Sequence, residues 1–158
     1  MKIIKVIILC VAALTATSSF AQEKAADTDM QILLEKVKAD KKLVVAANME
    51  LDEAEAKGFW PIYESYQKDL QTLNERLGKT ILAYADAYNK KSLTDAQAKQ
   101  LTNEALAIDQ DEAALRKAYA GKLDRVIPAR KVARYLQIEN KIRAAIRYDL
   151  ASGIPLVP

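Results

Sequence analysis

No histidine occurs in the 158 residues of this chain, and its one cysteine is Cys10. For anything assembled from this chain alone, these absences exclude Ser-His-Asp and Cys-His nucleophiles, imidazole proton transfer and Cys/His zinc sites. A lone cysteine also forms no internal disulfide. Only carboxylate, lysine or tyrosine chemistry is left, so the expectation is a protein that binds and does not catalyse, with no cofactor and no metal. Glycine and proline are scarce, with four of each. Strand-type alternation is nearly absent, and Ala, Leu, Glu, Lys and Gln dominate the interior. That composition predicts an all-α fold.

The first residues read as a cleaved secretory signal over 1–21. Lys2 and Lys5 make a basic start, Ile7 to Leu14 an apolar stretch, and Ser19-Phe20-Ala21 a small-x-small cleavage site. The apolar stretch is shorter than the about 20 residues that span a bilayer, so release after export, not anchoring, is expected. Leu9, bulky and directly before Cys10, disfavours a lipid-anchored reading. After the signal, 22–27 is polar and expected to be disordered, 28–153 forms one helical domain, and 154–158 is an extended apolar tail. Charge is divided along the chain. Residues 22–115 carry 12 basic and 18 acidic side chains, and residues 116–158 carry 10 and 3, which points to self-association or a polar binding face.

Four helices are predicted. The first begins at Thr28, whose hydroxyl caps the turn with Gln31, and runs to about Ala47. The second starts at Asp52, with Glu53 and Glu55 at the positive end of its dipole. Its apolar stripe is Phe59, Ile62, Tyr66, Leu70, Leu73, Leu77, Ile81, Tyr84 and Tyr88, spaced by three or four. Pro61 removes a donor and should kink its early part. Thr94 and Gln97 form a capping-box pattern at the start of the third helix, whose stripe is Leu101, Ala105, Ile108, Leu115, Tyr119, Leu123 and Val126. The fourth opens at Pro128 and is ended by Gly153 and Pro155. One of its faces carries Val132, Tyr135, Ile138, Ile142 and Ile146, and the other Arg130, Arg134, Gln137, Lys141 and Tyr148. The short polar link between the second and third helices predicts an antiparallel hairpin.

Leu93-Thr94-Asp95-Ala96-Gln97 matches the LTxxQ motif, and Leu51-Asp52-Glu53-Ala54-Glu55 looks like a degenerate first copy, with Asp52 for Thr and Glu55 for Gln. With the export signal and the long helices, the chain resembles the Spy/CpxP-like family of periplasmic stress proteins. That resemblance implies an elongated helical hairpin, a curved homodimer and a concave face that holds unfolded clients without ATP or tunes an envelope-stress sensor.

Two surface candidates follow from the residues themselves. The Arg130, Arg134, Lys141 stripe, with Tyr148, is either an ordinary solvated face or a recruiting surface for acidic or partly unfolded envelope proteins, or for anionic lipid headgroups. Phe59, Trp60, Tyr63 and Tyr66 are either core or an adaptable client surface. Asp109, Asp111 and Glu112 stand close in sequence, which raises a metal-responsive role as a third reading after chaperone and adaptor. Nucleic acid is not an expected partner of an exported chain of nearly balanced charge.

Overall fold

The computed structural model describes residues 40–158. The signal assigned to 1–21, the 22–27 segment and most of the helix expected from Thr28 lie outside the described residues. The chain divides into two compact units, Met1–Ala47 and Asn48–Pro158. Residues 40–49 are helical (α1). The second unit holds α2 (Glu53–Asn89), α3 (Asp95–Leu123) and α4 (Ala129–Gly153). The fold is all-α, with no strand among the described residues.

Local chemistry sets the helix ends. Asp52 caps α2: its Oδ1 accepts from the Glu55 amide at 2.8 Å, and Glu55 Oε2 accepts from the Asp52 amide at 2.9 Å. Thr94 and Gln97 repeat this reciprocal box at the start of α3, at 3.3 and 3.0 Å. Each box satisfies two amides that the first turn of a helix otherwise leaves without partners. The far end of α2 closes by a Schellman arrangement, Lys91 N–H to Tyr88 O and Ser92 N–H to Ala87 O at 3.0 and 2.9 Å. This places Lys91, not a glycine, at φ 52°. Pro61 lies inside α2, which continues unbroken past it, and the Ser65 hydroxyl donates to the Pro61 carbonyl at 2.9 Å.

The pairing of side chains fixes the helix directions. Tyr119 donates to Asp69 at 2.6 Å, while Arg76 meets Asp111 at 2.7 Å and Glu104 at 3.0 Å. Low numbers on α2 therefore face high numbers on α3, and the two run antiparallel. Arg147 to Asp109 at 2.7 Å and Arg143 to Glu112 at 3.4 Å make α3 and α4 antiparallel as well. Gln67 reaches Glu139, and Lys131 pairs with Glu55, so α4 lies parallel to α2. The result is a three-helix up-down-up bundle. The link before α2 is fastened to α4 by Lys131, which donates to the Glu50 carbonyl at 2.7 Å, and by Arg134, 3.1 Å from the Glu50 carboxylate. Gly58 allows the turn after α3 to approach α2, because a Cβ there would stand 2.9 Å from Val126 Cβ.

The packing is uneven along the bundle. At one end, Phe59, Tyr63, Tyr66, Tyr119, Leu123, Ile127, Val132 and Tyr135 are buried. Edge-to-face contacts join Phe59 to Tyr135 at 5.2 Å between centroids, Tyr66 to Tyr119 at 5.3 Å and Tyr66 to Tyr135 at 6.2 Å. Such pairs add about 0.5–1.5 kcal/mol each beyond simple area burial. Burial pushes the phenols of Tyr63, Tyr66 and Tyr135 well above their ordinary value, with the Glu139 charge adding to the effect. Burial and the bond to Asp69 push Tyr119 up to about 12. These rings stay neutral near neutral pH and act as packing elements.

Candidate ligand-binding cleft

A polar layer crosses the middle of the bundle. Glu112 and Glu139 are only 5% and 4% exposed. Gln67 Nε2 donates to Glu139 Oε1 at 2.9 Å and to the Tyr135 hydroxyl at 3.3 Å. Glu112 accepts from Arg147 at 2.9 Å and lies 3.4 Å from the Arg143 guanidinium. Buried carboxylates persist only when paired in this way. The layer separates the aromatic end of the bundle from an end with a different filling.

Beyond the layer the three helices no longer close. Ile146 and Leu150 continue the inward face of α4, since Leu150 lies five whole turns beyond Val132. They are nevertheless 47% and 37% exposed. Leu77, Ile81 and Tyr84 of α2, Leu101 of α3 and Leu150 of α4 border a cleft of about 490 Å³. Its remaining helical lining includes the small side chains Thr80, Thr102, Ala105 and Ala151. Small residues where the aromatic end has tyrosines leave the space unfilled. The volume lies within the range of about 300–1,000 Å³ usual for ligand sites. Among the described residues one cation, Arg147, borders the cleft, and Asp109 and Glu112 already neutralise it. The segment after α4 completes the rim, and there the Tyr84 hydroxyl donates to the Pro155 carbonyl at 2.9 Å.

The residues singled out from sequence fall into separate places. Phe59, Tyr63 and Tyr66 are 0, 2 and 2% exposed, so no partner reaches them in this fold. Their reading as a client surface is corrected to core, because α4 covers them through Tyr135. Trp60 is half-buried, edge-on to Phe59 and Tyr63 at 5.1 and 5.3 Å. Arg130, Arg134, Lys141 and Tyr148 are exposed along the outer face of α4, Tyr148 by 76%. Of these four, Arg134 is held by Glu50. Leu51 and Leu93 are half-buried beside the capping residues Asp52, Glu55, Thr94 and Gln97. The three carboxylates of α3 are divided between two arginine systems, Asp111 on Arg76 and Asp109 with Glu112 on Arg147. Among the described residues no group of three or more potential metal-binding side chains forms.

Comparison with protein-family models, curated proteins and solved structures gives no match. Sequence reasoning missed the cleft and the buried carboxylates. The signal for the second was present as an interruption: the α3 stripe steps seven residues from Ile108 to Leu115, and Glu112 sits in that gap. Among the described residues no helix is long and apolar enough to cross a membrane.

Proposed function

We propose that this chain is an exported, non-catalytic binding protein that holds apolar segments of unfolded or partly folded envelope proteins, as its resemblance to Spy/CpxP-like proteins implies. The observation that carries the reading is the open end of the bundle. Aliphatic side chains on the inward face of α4 stay accessible beside a cleft at which the one cation among the described residues is already paired. Exposed apolar surface of this kind marks an interaction site. The basic stripe supports the same reading in a kinetic role, because exposed cations raise the encounter rate with acidic chains and lose that influence as salt screens them.

The test is suppression of aggregation of a chemically unfolded client by the full chain. Ala105→Glu sets a charge into the cleft and is expected to remove most of the suppression while helicity by circular dichroism is retained. Arg130→Glu with Lys141→Glu is expected to slow capture at low salt and to matter little at high salt. Absence of suppression by the unaltered protein at any salt concentration would overturn the proposal.

A second reading, an adaptor docking on one acidic partner or an anionic membrane surface, is favoured by the outward row Arg130, Lys141 and Tyr148. It requires one saturable partner, insensitivity to Ala105→Glu, and loss of binding on charge reversal of the stripe. Co-sedimentation with anionic vesicles, together with affinity capture from envelope extract, separates it from the first.

A further inference from the structure

We infer that the cleft recognises extended aliphatic peptide segments, and that residues 154–158 of this chain are its internal occupant, displaced when a client segment enters. The inference rests on the reading of the chain as a binder of unfolded segments and names what that site takes.

Helix α4 stops at Gly153, and the backbone turns extended at Ile154, with φ −97° and ψ 116°. Pro155 prevents a return to helix. Ile154-Pro155-Leu156-Val157-Pro158 contains no charged and no hydrogen-bonding side chain, so the polar groups it offers are those of its backbone. It passes along the cleft, where Ile154, Pro155, Leu156 and Val157 share the lining with Ile81, Tyr84 and Leu101. Val157 and Pro158 then border the next hollow, beside Ala87 and Leu93. The protein thus already lays an extended aliphatic peptide against this site.

It holds that peptide loosely. Leu156 and Val157 border the cleft yet are 89% and 61% exposed, so the side chains that would contribute most to burial leave most of their surface open to solvent. One directional contact fixes the backbone, the Tyr84 hydroxyl on the Pro155 carbonyl. A donor aimed at a main-chain carbonyl accepts any peptide sequence, and the apolar walls then favour aliphatic side chains. With Arg147 neutralised, no unpaired cation remains among the described residues of the lining to hold the acid group of a fatty acid or phospholipid. An incoming segment whose side chains fill the space gains apolar burial that residues 154–158 do not achieve, and it takes their place.

The experiment measures fluorescence anisotropy of a labelled Gly-Ile-Pro-Leu-Val-Pro peptide on the full chain, with Gly-Ser-Pro-Ser-Ser-Pro as control. The double variant Ile154→Asp with Val157→Asp weakens the internal occupant, and its helicity is checked by circular dichroism. If residues 154–158 occupy the site about nine-tenths of the time, this variant binds the aliphatic peptide about tenfold more tightly than the unaltered protein. Ala105→Glu abolishes binding, and the Ser-rich peptide binds neither protein. Equal affinity of the unaltered and double-variant proteins, or equal binding of the two peptides, would overturn the inference. Aggregation assays on the same samples separate the two claims. Suppression without peptide binding defeats the inference and leaves the functional reading standing, while peptide binding without suppression does the reverse.

Discussion

Gln67 of α2 and Glu139 of α4 meet inside the bundle, the amide nitrogen 2.9 Å from the carboxylate oxygen. Removing one partner from a buried hydrogen bond to a charge costs more than the bond contributes, because the other partner keeps its desolvation cost. Gln67→Leu is therefore expected to lower stability by about 2 kcal/mol. Gln67→Leu with Glu139→Leu is expected to recover most of that loss. Urea denaturation of both single variants and the double variant forms the cycle that checks it.

Two glycines on one helix are expected to respond in opposite directions. At Gly78 a Cβ meets nothing within 4 Å, so Gly78→Ala should stabilise by about 0.5–1 kcal/mol through helix propensity. At Gly58 the same atom meets Val126 Cβ at 2.9 Å, and displacing the turn after α3 should outweigh the propensity gain, for a net loss of about 1 kcal/mol or more. Thermal unfolding of the two variants side by side decides it.

Lys91 occupies the left-handed region at φ 52° in the C-terminal closure of α2. A side chain there costs about 1 kcal/mol that glycine does not incur. Lys91→Gly should raise the unfolding midpoint, and Lys91→Val should lower it, because branching at Cβ worsens the same clash.

Acid and alkali should each destabilise the bundle through named groups. Glu55 is held below its usual value of 4.5, chiefly by the hydrogen bond from Lys131. A depressed carboxyl contributes stability that is complete above its unfolded value and is lost as pH falls through the folded one. Glu55→Gln should therefore flatten the decline in urea midpoint below 4.5. Tyr63, Tyr66, Tyr119 and Tyr135 are raised above their usual 10 by burial. Their contribution is complete below 10 and is lost as pH rises through the folded values. Tyr119→Phe should reduce this alkaline loss, with phenolate absorbance followed alongside the denaturation curve.

What was legible in the sequence is what depends on near neighbours. Capping needs residues three apart, and Asp52 with Glu55 and Thr94 with Gln97 both formed their boxes. Pro128 and Gly153 bounded α4 for the same local reasons. The outward row of α4 followed from 3.6-residue periodicity alone. The candidate site was not legible, because a cleft depends on volume supplied by other helices. Periodicity places Ile146 on the inward face, yet it is 47% exposed, and the small side chains Thr80, Thr102 and Ala105 line the cleft. Glu112 sits in the seven-residue gap of the α3 stripe, and the residues that satisfy it and Glu139, namely Arg143, Arg147 and Gln67, lie on other helices. For Phe59, Tyr63 and Tyr66 the sequence left core and surface both open, and burial beneath Tyr135 decided between them.

The polar layer also has a consequence for how freely the two ends can change. A one-turn slip of α4 along α2 would carry Glu139 away from Gln67, so these groups hold the helices in register wherever the neighbouring packing is loose. With alignment secured in the middle and aromatic packing concentrated on one side of it, the walls around Ile81, Leu101 and Leu150 are relieved of specifying the architecture. Libraries randomised at those three positions should keep their helicity while differing widely in which peptides they retain.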